Sequence, residues 1–569
     1  MEAFGVPALR LSVLQGLGAM LALGAVYVIY RLFKVRLTFR ALKAQGIPMM
    51  PHSFLLGHLP IVFRLVKSVA PDIHLACLPQ LIMENWQSLF PYLNACPGAI
   101  YLDIWPLGQP VLFTLDPTLA AQCLSDQSLT HSKMSHRYIR PLTDNLDLFS
   151  VYGATWRTWR SRLSPGFSSR AITALVPALI EEVSIFRDIL RSKTTKGGDW
   201  GEAFLLEPLT TKLTFDVIGR AGLDIRLRDQ TNGPSPLYSA LLDQMNHCLI
   251  QYNILTLPTV LSPIRQWKMW RNSRTMREYL LPSIQARLGD PGTFKPKYRT
   301  IVDLAVEAAR KETTTDALED IKSGPLQPSK EFLDSLIAQL KIFIFAGHDT
   351  TATSIAWALH NAAKHPATAE KLRAEHTAVF GPDLSTVIPQ LTANPHLLNA
   401  LPYTLAFVKE TLRFAPPGGL SREGSASFQL AVPGCSVPYP TEGFMIYDGI
   451  IGGMRWGAVF PRPNEFLPER FLVGPEDPLH PPKNAWRPFG VGPRFCIGQE
   501  LAITEIKMAL VLVVRELDVD CAWDKWDAQR NYKGSKHTVD GHRCYLTGQG
   551  TTHPTGGMPV HVRFRDLQA

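Results

Sequence analysis

The chain has 569 residues, of which 46% are apolar and 19% are charged. This composition is typical of a globular protein with a large core and excludes a disordered chain. The formal net charge is +9, but no dense block of lysine and arginine is interleaved with aromatic residues. We therefore expect no nucleic-acid partner and favour an anionic membrane or an acidic protein surface instead.

The first long element is apolar. Residues 11–30, LSVLQGLGAMLALGAVYVIY, carry no charge, and at about 1.5 Å per residue they can cross a bilayer core of about 30 Å. Five lysines or arginines follow within residues 31–43, whereas only Arg10 precedes the run. This bias predicts a single-pass anchor with residues 1–10 in the lumen and the rest of the chain in the cytoplasm. A cleaved signal peptide is the alternative, but the run is long for one and most of its positive charge lies after it.

The remaining sequence predicts one large domain. Residues 31–60 are basic and then rich in proline and glycine, which is typical of a linker. Residues 61–569 contain no repeat and no second convincing linker. Helical periodicity dominates their middle part, while short β-branched runs occur near residues 98–115 and 428–437 and at the C-terminal end. The predicted fold class is mainly α with small β-sheets.

Eight cysteines are present, and none are spaced as C-x-x-C, so a zinc ribbon is excluded. Cys496 stands apart because it lies in the stretch FGVGPRFCIG, residues 489–498, between glycines. A thiolate is a strong ligand for haem iron, and glycines let backbone amides approach its sulfur. An apolar helix is predicted directly after it, where the helix dipole favours negative charge. The alternative for this cysteine alone is a structural thiol in a tight turn.

The full pattern F-x-x-G-x-R-x-C-x-G resembles the haem-binding loop of the cytochrome P450 family, the haem-thiolate monooxygenases. Phe489, Arg494, Cys496 and Gly498 occupy its positions. The resemblance implies that Cys496 is the axial ligand of the iron of haem b and that Arg494 pairs with a haem propionate. It also implies the cytochrome P450 fold, preceded here by a single N-terminal transmembrane helix.

Further motifs follow in the family's order. In WRTWR, Trp156 and Arg160 resemble the pair that faces the haem propionates, although an ordinary amphipathic helix could carry the same letters. In AGHDTT, Asp349 and Thr350 interrupt an apolar helix and resemble the oxygen-binding kink, where the resemblance implies control of proton delivery. Arg422 resembles a basic residue that reaches a propionate from a strand.

Two more motifs predict a structural network behind the haem. Glu410 and Arg413 of ETLR share one helix face, and Arg470 of PERF completes the family's buried set. The first pair alone is common on solvated helices. It indicates a buried network only because the third partner, Arg470, is also present. Met454 stands where the family often has a histidine before PERF, which leaves one propionate contact open.

The resemblance implies a membrane-anchored monooxygenase of the endoplasmic reticulum that inserts one oxygen atom from O₂ into a lipophilic small molecule. No GxGxxG fingerprint is evident, so electrons are expected from an NADPH–cytochrome P450 reductase, with cytochrome b5 as a further donor. Arg157, Arg162 and Lys507 are candidates for a basic surface that docks the reductase, or are ordinary surface charges.

The sequence gives less information about the substrate than about the haem site. The stretches GPRFCIGQELA and HPTGGMPV resemble fungal members that act in polyketide or terpenoid secondary metabolism. Two alternatives stay open at this point. One is a family member that rearranges a peroxide without a reductase, although such members usually lack the acid–threonine pair found here. The other is a membrane haem-binding protein without catalysis.

Overall fold

The computed structural model describes residues 5–195, 197–248, 256–289, 298–315 and 328–565. Across these ranges the chain is mainly helical with small sheets, as the sequence predicts. The helices are α1 Gly5–Ala44, α2 Leu59–Lys67, α3 Leu78–Glu84, α4 Trp86–Leu89, α5 Pro117–Ser125, α6 Lys133–Thr143, α7 Gly153–Leu163, α8 Ser169–Ser192, α9 Glu207–Leu223, α10 Pro236–Cys248, α11 Leu257–Leu261, α12 Pro263–Leu288, α13 Ile301–Thr315, α14 Lys330–Lys364, α15 Pro366–Phe380, α16 Val387–Ala393, α17 Pro402–Phe414, α18 Ile450–Gly453, α19 Gln499–Val513 and α20 Trp523–Gln529.

The strands are short, at two to six residues each. They are β1 Ala99–Leu102, β2 Val111–Thr114, β3 Phe204–Leu205, β4 Ser421–Glu423, β5 Gln429–Leu430, β6 Tyr439–Pro440, β7 Met445–Asp448, β8 Leu517–Cys521, β9 Leu546–Thr547, β10 His553–Pro554 and β11 Pro559–Phe564. The largest sheet has the order β1-β2-β7-β4, in which β2 and β7 are parallel and the other neighbours antiparallel. Its β4 strand carries Arg422 toward the candidate site.

Helix α1 joins the apolar N-terminal segment to the body without a break. Its described part Gly18–Ala44 is long and apolar enough to cross a membrane, and side chains such as Leu21 (75% exposed) have no protein cover. Further along, Val35, Phe39 and Leu42 are buried in a core cluster with Tyr101. The first part of the predicted linker is therefore helical and packed, while residues 45–58 are irregular.

Helix α14 is the central element of the main core and packs against α9, α17 and α19. Ser329 caps its start, where the hydroxyl accepts from the Phe332 amide at 3.1 Å. Gln339 is fully buried on this helix. Its side-chain oxygen accepts from the Leu148 amide at 2.7 Å, and its nitrogen donates to the Leu146 carbonyl at 3.0 Å. These bonds satisfy a polar side chain inside the core and fix the segment before α7 against α14.

Candidate functional site

A cavity of about 480 Å³ lies between helix α14 and the loop before helix α19. Ala346, Gly347 and Thr350 of α14 line one side, and the loop contributes Phe489 and Cys496. Most other lining side chains are apolar, from the segments of α6, α9 and α14 that face the space: Met134, Ile139, Val217, Ile218, Ile342 and Phe343. A largely apolar cavity with a few polar groups is the usual form of a small-molecule site.

The cysteine loop folds tightly because of its glycines. The Cys496 amide donates to the Phe489 carbonyl at 2.8 Å and closes the turn. Gly490 and Gly492 have positive φ angles of 70° and 78°, which L side chains rarely adopt. A Cβ on Gly492 would also lie 2.8 Å from the Cα of Ser125. The two glycines are therefore required for the shape that presents Cys496.

The thiol of Cys496 faces the cavity directly before α19 begins at Gln499. The residue counts as exposed because it opens into this cavity, yet the protein shields it from bulk water. Burial raises the pKa of the thiol, while a hydrogen bond with the Gly498 backbone and the charge of Arg160 act in the opposite direction. A thiolate formed here has the helix N-terminus and a cation to stabilise it, as an iron ligand needs.

Two arginines flank the cysteine on the α7 side. Arg494 donates to the Val151 carbonyl at 2.7 Å, and its guanidinium lies 4.4 Å from the ring centre of Tyr152 and 4.6 Å from that of Trp156. Arg160 donates to the Phe495 carbonyl at 3.1 Å. Trp156, Arg160 and Arg494 all line the cavity. Burial, together with the neighbouring arginines, lowers the pKa of Arg494 to about 10.

A third arginine, which is buried, completes the cationic group. Arg422 is 2% exposed and approaches the ring nitrogen Nδ1 of His131 at 2.6 Å, while its own Nε has no hydrogen-bond partner among the described residues. Burial, and then the charge of Arg422, lowers the pKa of His131 well below its ordinary value. The histidine is therefore a neutral acceptor. His131 lines the cavity, and Arg422 lies behind it.

This cationic group provides a test of whether a haem fits. Arg160, Arg422 and Arg494 form no ion pair with a carboxylate in the described parts of the chain. Arg422 is buried and the other two are half-buried. Cations shielded from water without a counter-ion are costly, so the site favours an anionic ligand. Haem carries two propionates, and its iron takes a thiolate ligand. The donor set of Cys496 and the three arginines fits that group.

Across the cavity, Thr350 and Asp349 point in different directions. The Thr350 hydroxyl lines the cavity and donates to the Ala346 carbonyl at 2.8 Å. Asp349 lies outside the lining and accepts a hydrogen bond from Thr551, a residue of the C-terminal segment. The predicted pair is therefore present on α14, with the threonine facing the cavity and the acid facing a polar cluster behind it.

The predicted network of Glu410, Arg413 and Arg470 is fully buried. Glu410 accepts from Arg413 at 2.7 and 2.8 Å and from the Nε of Arg470 at 3.1 Å. Arg413 also donates to the Met454 carbonyl at 2.8 Å. All three side chains are thus satisfied, and none lines the cavity. The network connects α17 to the irregular chain before the cysteine loop.

Sequence reasoning misplaced one residue and missed two others. Lys507, a candidate for a docking surface, is buried and donates to the Leu398 carbonyl at 2.9 Å. Arg157 is exposed on α7, as a docking role needs. His131 was not recognised, and Glu505, which lines the cavity, was not either. Burial raises the pKa of Glu505 well above its ordinary value and so favours the neutral carboxyl.

A cavity with a loop thiol on one side, a helix hydroxyl on the other and, at its edge, arginines that have no carboxylate partner among the described residues is typical of a haem-thiolate protein. The family profile described as Cytochrome P450 matches residues 72–535. The chain is 36% identical to "Cytochrome P450 monooxygenase polC" of Polytolypa hystricis, over 94% of this chain and 92% of that protein. It is 29% identical to "Cytochrome P450 monooxygenase acrF" of Aspergillus aculeatus, over 88% and 100% of the two chains.

Solved structures agree on the fold. The heme domain of cytochrome P450DA is 22% identical, with a TM-score of 0.67 over 92% of this chain and 98% of that one. The chain belongs to the cytochrome P450 family. The predicted fold class and the predicted cytochrome P450 monooxygenase are confirmed by this membership. A haem cofactor, a redox partner, O₂ and an organic substrate follow from the family, and the apolar part of α1 indicates a membrane anchor.

Proposed function

We propose that this monooxygenase inserts one oxygen atom from O₂ into a lipophilic small molecule of fungal secondary metabolism, a polyketide or a terpenoid. One observation carries the proposal: Cys496 and Thr350 line the same largely apolar cavity from opposite elements. The apolar lining favours a substrate with little charge. The fungal relatives named as monooxygenases support the setting.

The cofactor in this proposal is haem b. Cys496 would bind the iron, and Arg160, Arg422 and Arg494, with Trp156 packed on Arg494, would hold the propionates. When bound, the haem supplies the activation of O₂. The chain's own residues orient the substrate against α14, exclude bulk water with the apolar lining, and hold a proton on the Thr350 hydroxyl. Asp349 would renew that proton, because it contacts a polar cluster behind the cavity.

The electron donor in this proposal is an NADPH–cytochrome P450 reductase, with cytochrome b5 as a further donor, in the membrane of the endoplasmic reticulum. The net charge of +9 suits an acidic partner. The basic segment after the apolar run supports a cytoplasmic catalytic domain.

Product formation tests the proposal. The full chain is reconstituted in lipid with the reductase and given polyketide and terpenoid precursors that shift its absorption spectrum. The expected result is product containing one atom of ¹⁸O from ¹⁸O₂, formed only with NADPH. Incorporation of both oxygen atoms of a supplied organic hydroperoxide without NADPH would favour the peroxide-rearranging alternative. Substrate-induced spectral shifts without product from any precursor would favour a haem-binding protein without catalysis.

A further inference from the structure

Behind Asp349, side chains from three distant segments form a hydrogen-bonded chain. The Thr551 hydroxyl donates to Asp349 and lies 3.0 Å from Nε2 of His553. The other ring nitrogen of His553, Nδ1, lies 2.6 Å from a carboxylate oxygen of Glu207. His553 Nε2 is 3.7 Å from Asp349 Oδ2, too far for a direct hydrogen bond. Thr551 therefore bridges the histidine and the aspartate.

This chain of groups leads from the protein surface to the cavity. The side chains of His553 and Glu207 are 29% and 15% exposed, so water reaches them. Thr551, with Gly550, lines the cavity, and Asp349 is the neighbour of Thr350. We refer to Glu207, His553, Thr551 and Asp349 as the Glu207–Asp349 chain.

The charges around His553 favour its protonated form. Burial opposes that form, but the hydrogen bond to Glu207 and the carboxylates of Asp349 and Glu207 outweigh it and raise the pKa of His553. Among the described residues, the other titratable groups that interact with it are His74 and His348. Burial, with a contribution from the charge of His553, lowers the pKa of both, so neither competes as a cation.

We propose that His553, oriented by Glu207, is a positioning residue that supplies protons to Asp349 through the hydroxyl of Thr551. In this step the Nε2–H proton moves to the oxygen of Thr551 while the Thr551 hydroxyl proton moves to Asp349. The imidazolium becomes neutral, the carboxylate becomes a carboxylic acid, and the threonine is unchanged. Water at the exposed edge then protonates His553 again. The inference rests on the proposed monooxygenase function and deepens it.

The proposal makes proton delivery depend on pH. The imidazolium is present below the pKa of His553, which lies above the ordinary value of about 6.5. Delivery through the Glu207–Asp349 chain is therefore complete below this pKa and declines as the pH rises through it. Replacing Glu207 by glutamine removes one carboxylate and shifts the decline to lower pH.

The test compares four variants of the full chain in lipid nanodiscs with the reductase: His553→Gln, Glu207→Gln, Thr551→Val and, as a control, His561→Gln. His561 lies on β11 and stacks on Trp200 at 4.1 Å, away from the cavity lining. NADPH consumption, hydrogen peroxide and product are measured together across pH. The titration of His553 is followed by NMR of ¹³C-labelled histidine, a readout independent of turnover.

We expect His553→Gln to lower product per NADPH by about ten-fold, less than the 10²-fold or more of a direct proton donor because water can enter in part. Peroxide should rise in compensation, substrate affinity should stay the same, and the pH dependence should flatten. Thr551→Val should uncouple similarly while His553 still titrates at its raised pKa. Glu207→Gln should lower both the NMR pKa and the pH at which coupling declines.

Some outcomes would overturn the inference alone. Wild-type coupling in His553→Gln at every pH, in protein with normal haem content and substrate binding, would exclude the role. Equal loss in His561→Gln would indicate general damage to the C-terminal sheets. A wild type that forms no product would instead contradict the proposed function, while the NMR titration of His553 in wild type and Glu207→Gln would still be informative about the chain.

Discussion

Arg36 of helix α1 forms an ion pair with Asp103, and both side chains are completely buried. Arg36 also donates to the carbonyls of Phe54, Leu55 and Trp105 at 2.9–3.0 Å. The carboxylate of Asp103 accepts from both Arg36 and His52. The end of the helix that carries the membrane anchor is therefore part of the hydrogen-bonded interior of the catalytic domain.

Truncation at two points should separate anchoring from folding. Removal of residues 1–30 should release much of the protein from membranes and keep haem binding, because Arg36 and Phe39 remain. Removal of residues 1–44 should also abolish stable folding, since it leaves Asp103 buried without its cation, a loss of about 3–5 kcal/mol. Membrane fractionation and haem content measure the two effects.

The point variants Arg36→Ala and Lys34→Ala provide a matched pair, because Lys34 is exposed. Equal stability of these two variants would contradict the structural role of Arg36.

Cys496 should be required for the thiolate spectrum. Cys496→His should lose the strongly red-shifted Soret band of the reduced protein with carbon monoxide and lose activity, because a neutral nitrogen replaces the thiolate. Cys435→Ser is the control, since this thiol is also exposed but does not line the cavity. A normal band in Cys496→His would disprove the assignment of the axial ligand.

Glu410→Ala should be destabilising out of proportion to an ordinary ion pair. It leaves two buried arginines, Arg413 and Arg470, without their carboxylate counter-ion, at a cost of about 3–5 kcal/mol. Haem-free, poorly folded protein is the expected result. The exposed i,i+4 pair of Arg274 and Glu278 offers a comparison, and Glu278→Ala should not change the melting temperature. Normal haem content in Glu410→Ala would refute the argument.

Thr350→Ala should uncouple the reaction. The variant removes the hydroxyl that lines the cavity and leaves the apolar lining intact. NADPH consumption should continue while peroxide rises and product falls, and Thr350→Ser should stay closer to wild type. Thr353→Ala is the control, because Thr353 is buried on the same helix outside the cavity lining. If product per NADPH were unchanged in Thr350→Ala, Thr350 would have a packing role only.

The parts of the site that could be predicted are those whose residues lie close together in the sequence. The loop around Cys496 needs its glycines within a few residues of the sulfur, and Glu410 and Arg413 are one helical turn apart. Arg422, His131 and Arg494 meet only through the tertiary fold. Sequence reasoning identified the two arginines from the family pattern and had no signal for the histidine between them.

The Glu207–Asp349 chain shows more clearly which contacts cannot be predicted from the sequence. Glu207 and His553 are separated by 346 positions, and Thr551 and Asp349 by 202. A single histidine in HPTGG has no local feature that distinguishes it from a solvated loop residue. The prediction that Lys507 lies on the surface was wrong for the opposite reason. A lysine suggests a surface position, but a carbonyl acceptor and apolar neighbours on α19 accommodate this side chain in the interior.

Helix α1 runs without a break from the apolar segment into the catalytic domain, so the number of residues between them determines how the domain is oriented around the helix axis. An α-helix turns by about 100° and rises about 1.5 Å for each residue. One residue inserted between Tyr30 and Arg31 would therefore rotate the catalytic domain by about 100° around the axis of the apolar segment, while the contacts of Phe33, Val35 and Arg36 are kept. Insertion of four residues would turn the domain by about 400°, which is within about 40° of its original azimuth, and would raise it by about 6 Å. The number of residues between the apolar segment and Arg36 thus sets which side of the catalytic domain faces the lipid.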